Sequence, residues 1–236
     1  MTVPAAPPWL ASLATPPGVY APQADTLFLA TALRREALAP GTDVLDLGTG
    51  NGTLAIYAAQ QGARVTATDI ARTAVATARL NALRAGQHID VRRGDLLSPI
   101  RGRPFDLVVC NPPYVPAPGS SPHGTRNDDG STAPGSAWNA GPDGRAILDR
   151  LCAEVPQALR PGGVLLMVQS ALSGPDTTLL ILSGSGLRAA VSDRIRIPFG
   201  PVLRSRLPWL RDRRLVTPQD MFEELVIIRA CKSGRP

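Results

Sequence analysis

The sequence predicts an α/β fold: a seven-stranded, mostly parallel sheet with helices on both faces and an antiparallel last strand. Three observations carry that expectation. Short apolar runs alternate with stretches of helical periodicity up to Val168, and alternating strand and helix builds a parallel sheet covered on both sides. The run Asp43–Leu47 passes directly into a glycine-rich turn and then a helical stretch. The last two apolar runs are joined without a convincing helix, the pattern of an antiparallel end.

The elements follow in order. Residues 1–18 are rich in Pro and Ala with no period and read as a flexible arm. Leu27, Leu29–Ala30, Leu33 and Leu38 recur at helical spacing from Gln23 onward, and Pro40-Gly41 ends that helix. Strand Asp43–Leu47 leads to helix Thr53–Gln61, and strand Arg64–Asp69 to helix Arg72–Ala85. Gly86 stands where a glycine closes a helix. His88–Arg92 is a short polar strand and Phe105–Cys110 a strongly apolar one. Residues 115–142 hold five Pro and five Gly with little apolar content, a long loop of the kind that often serves as a lid. Gly144–Leu159 returns to helix, with a kink expected at Pro156. Arg160-Pro161-Gly162-Gly163 reads as a turn, Val164–Val168 as a buried strand and Thr177–Leu182 as a short helix. Leu187–Ile197 alternates apolar and polar residues, a half-buried strand. A basic, Pro-interrupted insertion fills 198–221, and Glu224–Cys231 closes the sheet. The expected organisation is the arm plus one domain over residues 19–236, with the lid at 115–142.

Composition narrows the function. The chain has 236 residues, 44% hydrophobic and 19% charged, which is globular rather than disordered. Its apolar runs are all far below the ~18 residues of a membrane span. The start of the chain has no basic stretch followed by an apolar core, so no secretory leader is expected. Cys110, Cys152 and Cys231 are odd in number and scattered. They suit neither a disulfide framework nor zinc, and they fit a reducing cytoplasm. His88 and His123 form no metal pair, so no metal site is expected. The net charge of +6 favours an anionic partner or is simply a solvated basic surface.

Three motifs carry chemistry. The first is Asp43-Val-Leu-Asp46-Leu-Gly48-Thr49-Gly50-Asn-Gly52. Glycines let the backbone approach a ligand, and the helix that follows offers free N–H groups. Asp69 ends the next strand, where an acid can accept hydrogen bonds from both hydroxyls of a ribose. A nicotinamide dinucleotide site would ask for a third glycine where Thr53 stands. The second is Gly94-Asp95-Leu96 after the short polar strand, which is also compatible with a plain turn. The third is Asn111-Pro112-Pro113-Tyr114 at the end of the apolar strand, where open α/β sheets bind ligands. Two prolines hold the backbone extended and remove two donors. The carbonyls of this segment then point outward without internal partners.

These motifs resemble a known family. Asp-x-Gly-x-Gly-x-Gly is similar to motif I of class I S-adenosylmethionine-dependent methyltransferases, which implies a Rossmann-like fold. Asn-Pro-Pro-Tyr is similar to motif IV of those acting on planar nitrogen, which implies that the Asn111 side-chain oxygen and the Pro112 carbonyl each accept one N–H of a planar amino group, with Tyr114 stacked on it; such a nitrogen is a poor nucleophile, so most of the rate must come from position and desolvation. With Gly18-Val-Tyr20-Ala-Pro22-Gln-Ala-Asp25-Thr26, Trp138-Asn-Ala-Gly141-Pro-Asp143-Gly144 and Glu223-Glu224-Leu-Val-Ile-Ile, the chain resembles HemK-like protein glutamine methyltransferases over residues 18–232. The resemblance implies S-adenosylmethionine as cofactor, bound by Tyr20, Thr26, Asp46, Gly48, Thr49, Gly50, Gly52, Asp69, Ile70, Asp95, Leu96 and Asn111. It implies catalysis by Asn111, Pro112, Pro113 and Tyr114 on the glutamine amide of the Gly-Gly-Gln motif of a release factor. The partner is then a release factor or ribosome-associated protein. The chain looks like the family's short form, which often works with a small zinc-binding activator subunit paired along a sheet edge. Tyr20 could instead be a packed aromatic, with Asp25 and Thr26 merely capping a helix. Trp138 lines the cleft or pins the lid. Two other substrates stay open: an adenine N6 or guanine N2 amino group of RNA or DNA, which the basic run Arg204–Arg214 keeps in view, and a small molecule. A non-catalytic S-adenosylmethionine-binding protein would have no need of the amide-orienting carbonyls.

Overall fold

The computed structural model describes residues 6–118 and 140–234. Seven strands form one sheet in the order β3-β2-β1-β4-β5-β7-β6. They are β1 (Asp43–Leu47), β2 (Arg64–Asp69), β3 (Ile89–Arg93), β4 (Phe105–Cys110), β5 (Leu159–Ser170), β6 (Leu187–Pro198) and β7 (Phe222–Lys232). The first five pair in parallel, and β7 runs antiparallel between β5 and β6. Helices α1 (Ala24–Arg35), α2 (Thr53–Gln60), α3 (Arg72–Arg84), α4 (Ala146–Ala158), α5 (Pro175–Gly184) and α6 (Pro201–Asp212) connect and cover them. No helix among the described residues is long and apolar enough to cross a membrane.

The order explains where a ligand belongs. From β1 the chain moves outward through α2, β2, α3 and β3, then returns to place β4 on the other side of β1. Right-handed crossovers therefore put α2 and α3 on one face and α4 on the other. The reversal between β1 and β4 opens a crevice at their carboxyl ends. Beneath it, Leu45, Val108, Leu165 and Ile227 are fully buried, so the strands read as continuous apolar runs.

Three local expectations change. Residues 198–221 contain α6, a helix where none was expected. Pro201 sits at its first turn, which tolerates proline. Buried Leu203 and Leu210 hold its inner face to the protein, and that packing outweighs the hydrogen bond lost at Pro208. The segment Arg160–Gly163 is a bulge inside β5 rather than a separating turn: Phe105 pairs with Leu159 and Leu107 already with Val164. Gly163 permits it, since a Cβ there would lie 2.9 Å from the Arg160 carbonyl. The described part of the N-terminal arm is tied down. Pro8–Ser12 forms a 3-10 turn, and the Trp9 ring stacks on Tyr57 with centroids 6.4 Å apart. The Ala14 N–H donates to Asn81 Oδ1 at 2.8 Å, and its carbonyl accepts from Asn81 Nδ2 at 2.9 Å. Most of the lid expected at 115–142, and Trp138 within it, lies outside the described residues.

Candidate active site

The crevice opens into a cavity of about 1070 Å³. Its floor comes from the carboxyl ends of β1, β2 and β4, and its rim from the start of α1, from α6 and from the start of β7. Of the residues singled out in the sequence, Tyr20, Thr26, Gly48, Thr49, Gly50, Asp69, Ile70, Asp95, Leu96 and Asn111–Tyr114 all line it.

Gly48 and Gly50 have φ of 70° and 57°, the left-handed region that side chains resist. A Cβ on Gly48 would meet nothing within 4 Å, and one on Gly50 only the Tyr20 carbonyl at 3.9 Å. A side chain there would take space from the cavity. Asp69 ends β2 and is fastened by both oxygens: Oδ2 accepts from Gly50 N at 3.0 Å and Oδ1 from Ala71 N at 2.9 Å. Each oxygen keeps lone-pair capacity for a further donor. Burial raises the Asp69 pKa, against the pull of these backbone N–H groups. Asp95 faces the same space and pairs with Arg150 of α4 at 2.8 Å. Leu96 next to it holds φ +46°, a conformation a leucine keeps only under constraint.

Two expected site residues do different work. Asp46 lies beneath the glycine turn rather than in the cavity wall. Its Oδ2 accepts from Thr49 Oγ1 at 2.6 Å and from Ala55 N at 3.1 Å, tying the turn to the first turn of α2. Burial pushes its pKa up to about 7 despite those hydrogen bonds. Gly52 packs against α3, where a Cβ would sit 3.2 Å from the Ala78 Cα.

The Asn-Pro-Pro-Tyr segment is held by a residue that reads as a helix cap in the sequence. Asp25, 3% exposed, lies inside α1. Its Oδ2 accepts from Tyr20 Oη at 2.8 Å, Tyr114 Oη at 3.0 Å and Asn111 Nδ2 at 3.1 Å. Its Oδ1 accepts from the Thr26 N–H at 2.6 Å and the Thr26 hydroxyl at 3.2 Å. Asn111 Nδ2 also donates to Thr26 Oγ1 at 3.2 Å. Only an NH₂ can satisfy a carboxylate, so this network fixes the amide orientation and leaves Asn111 Oδ1 to a ligand. Burial, then the charge of Asp25, raises the pKa of both tyrosines, which keeps them protonated donors. Beyond Tyr114, Arg206 of α6 donates to the Val115 and Pro116 carbonyls at 2.9 and 3.1 Å. Cys110 donates its thiol to the Leu47 carbonyl at 3.1 Å, knitting β4 to β1.

Glu223, 6% exposed at the start of β7, is a further acid in the cavity wall beside Asp25, Asp69 and Asp95. Burial raises its pKa to about 7; the Ser170 hydroxyl pulls the other way, and the charge of Asp25 adds to the rise. In the sequence it stands in the Glu223-Glu224-Leu-Val-Ile-Ile segment of the family resemblance, just ahead of the closing strand, with no role of its own.

Sheet order and the glycine turn at the switch point define the class, a class I methyltransferase. Known proteins narrow it further. The methyltransferase small domain family matches residues 11–122. A protein of Methanocaldococcus jannaschii, provisionally named protein N5-glutamine methyltransferase, is 33% identical over 184 residues, 78% of this chain and 88% of that one. The release factor glutamine methyltransferase of Deinococcus radiodurans is 38% identical over 173 residues, 72% of this chain; the match spans 58% of that longer protein. A chain of the E. cuniculi Mtq2–Trm112 complex, responsible for methylation of the eRF1 translation termination factor, superposes with a TM-score of 0.59. It is 26% identical, and the match covers 92% of this chain and 99% of that one. The chain belongs to the protein N5-glutamine methyltransferase family.

Proposed function

We propose that the chain transfers a methyl group from S-adenosylmethionine to the side-chain amide nitrogen of the glutamine in a release factor's Gly-Gly-Gln motif. The observation that carries this is the fixed Asn111 amide, whose two donors are spent on Asp25 and Thr26. Its oxygen and the Pro112 carbonyl make a pair of acceptors matched to the two N–H groups of a primary carboxamide.

The cavity fits the cofactor. Asp69 would take the ribose hydroxyls, the Gly48–Gly50 turn would lie against the amino-acid part, and Asp95 with Leu96 would meet the adenine. When bound, S-adenosylmethionine supplies an electrophilic methyl group on a sulfonium. Asn111 and Pro112 orient the amide so that its nitrogen lone pair faces the methyl carbon. Tyr114 is held by Asp25 and packs the planar group from the side. As the N–C bond forms the methyl–sulfur bond breaks, leaving a neutral thioether; the nitrogen has then become strongly acidic and gives its N–H proton to water as the product leaves, so no base must act first. Position and exclusion of water therefore supply most of the rate.

A small subunit paired along a free sheet edge belongs to the same reading. The β3 edge is supported by Leu80 and Leu83 on adjoining α3, which are 42% and 77% exposed. The release-factor names of the relatives support the substrate. The test is Asn111→Ala. It should bind S-adenosylmethionine as the wild type does and lose methyl transfer by roughly 100-fold. Transfer at the wild-type rate would remove Asn111 from the chemistry. Labelling of cell extract that nuclease abolishes would point to a nucleic acid instead.

A further inference from the structure

Five buried side-chain atoms have no hydrogen-bond partner among the described residues: Asp46 Oδ1, Thr66 Oγ1, Arg150 Nη1, Gln169 Oε1 and Glu223 Oε1. Of these residues, Glu223 alone lines the cavity. Its position is set by the sheet. Ser170 pairs with Leu225 at the end of β5, and Ile197 of β6 pairs with Glu223. Because β7 is antiparallel to β5, Glu223 comes just past the carboxyl end of that strand. That is the end of the sheet where Asn111 follows β4. The carboxyl feels the charge of Asp25 and adds its own field at Tyr20 and Tyr114, and it shares the cavity wall with all three.

Of the four acids in the cavity wall, Asp25, Asp69, Asp95 and Glu223, the two nearest the amide-orienting cluster, Asp25 and Glu223, are used differently. Both oxygens of Asp25 are engaged by donors of the protein itself. Glu223 has the Ser170 hydroxyl on its carboxyl and one oxygen left over. A buried acceptor without a donor is costly, and a ligand that brings a donor relieves the cost. On the reading proposed above, the two N–H groups of the target carboxamide already have acceptors in Asn111 and Pro112, and a ribose has Asp69. What a polypeptide still brings into the cleft is a main-chain N–H at each residue, stripped of water as it enters. A nucleic-acid strand would bring phosphates instead, which a carboxylate repels.

We infer that Glu223 is a substrate-binding residue whose free oxygen accepts a main-chain N–H of the polypeptide, at the target glutamine or a residue flanking it. The inference rests on the glutamine-methyltransferase reading and adds to it a contact that selects a polypeptide main chain.

The experiment is methyl transfer to purified release factors, each carrying one backbone ester, at the glutamine or at either neighbour. An ester deletes a single main-chain N–H and keeps the shape. Glu223→Gln is the matching change in the enzyme: with its oxygen kept by Ser170, the amide turns an NH₂ toward the substrate. In wild type, one ester position should lower kcat/KM about 10-fold, mainly through KM. In Glu223→Gln the unmodified substrate should show that loss already, and the same ester should cost nothing more. Glu223→Ala should behave likewise, which covers the case in which the glutamine variant folds poorly. Ester losses that are equal in wild type and variant, or absent at every position, would overturn the inference. So would a 10-fold loss of S-adenosylmethionine affinity in Glu223→Gln, since the carboxylate would then serve the cofactor. A wild-type enzyme inactive on the unmodified release factor would overturn the parent reading, a separate result.

Discussion

Asp25→Asn is the sharpest test of how the site is held. The substitution keeps shape and removes the charge. In the wild type, Oδ1 sits 2.6 Å from the Thr26 N–H, a backbone donor that cannot turn away. The new amide must keep its oxygen there. Its NH₂ then faces the Tyr20 and Tyr114 hydroxyls and Asn111 Nδ2, which lie 2.8, 3.0 and 3.1 Å from the replaced oxygen. The hydroxyls can rotate and accept. Asn111 can accept only by turning its amide over, which brings its oxygen to position 25 and its NH₂ toward the cavity. The substrate N–H then meets a donor. Loss of one oriented acceptor is worth about 3 kcal/mol in the transition state, or roughly 100-fold in turnover. S-adenosylmethionine affinity should stay within about threefold, because Asp69, the proposed ribose acceptor, is untouched. Single-turnover methyl transfer and calorimetric binding measure the two quantities. Turnover within about threefold of wild type would refute the claim that Asp25 sets the amide orientation.

Asp69→Ala should weaken S-adenosylmethionine binding at least about 10-fold, read by calorimetry, because it removes the proposed ribose acceptor and the anchor of Gly50 N. Gly144→Ala should impair transfer and lower the melting temperature: its Cβ would sit 2.3 Å from the Tyr114 carbonyl at a φ of +74°. Overpacking of this kind costs about 1–3 kcal/mol. Stability should depend on pH through Glu223, whose pKa rises from 4.5 to about 7 on folding because of burial. The folded chain then binds the extra proton between those values, so this contribution is intact below pH ~4.5 and lost as pH rises to ~7. Glu223→Gln should therefore gain on wild type across that window by up to about 3 kcal/mol. Urea titrations at several pH values would show the gain, and a pH-independent difference would contradict it.

Much of the site is legible in the sequence because glycine and proline act locally. The turn at Gly48–Gly50 and the stiff Pro112-Pro113 announce themselves in any context, and their order along alternating strands and helices gives the crevice. Asp69 and Asn111 are legible because each stands at the end of an apolar strand. What escapes depends on distant packing. Asp25 looks like a cap, yet its partners Tyr114 and Asn111 come 89 and 86 residues later. Asn81 is a polar residue in a helical pattern that gives no hint of strapping Ala14. Glu223 opens an apolar strand, and only the antiparallel register brings it to the site. α6 is obscured by Pro208, because burial of Leu203 and Leu210 is a tertiary fact. Asp46 belongs to the glycine motif as expected, but it braces the turn from below instead of facing the cavity.

The central claim is the acceptor, and one measurement addresses it directly. Purified enzyme, labelled S-adenosylmethionine and release factor are incubated beside a copy of the factor whose Gly-Gly-Gln glutamine is alanine, each with and without a small activator subunit of the kind proposed. Label on the native factor and none on the alanine copy is the predicted result. Equal label on both, or none on either with activator present and S-adenosylmethionine binding intact, would contradict it.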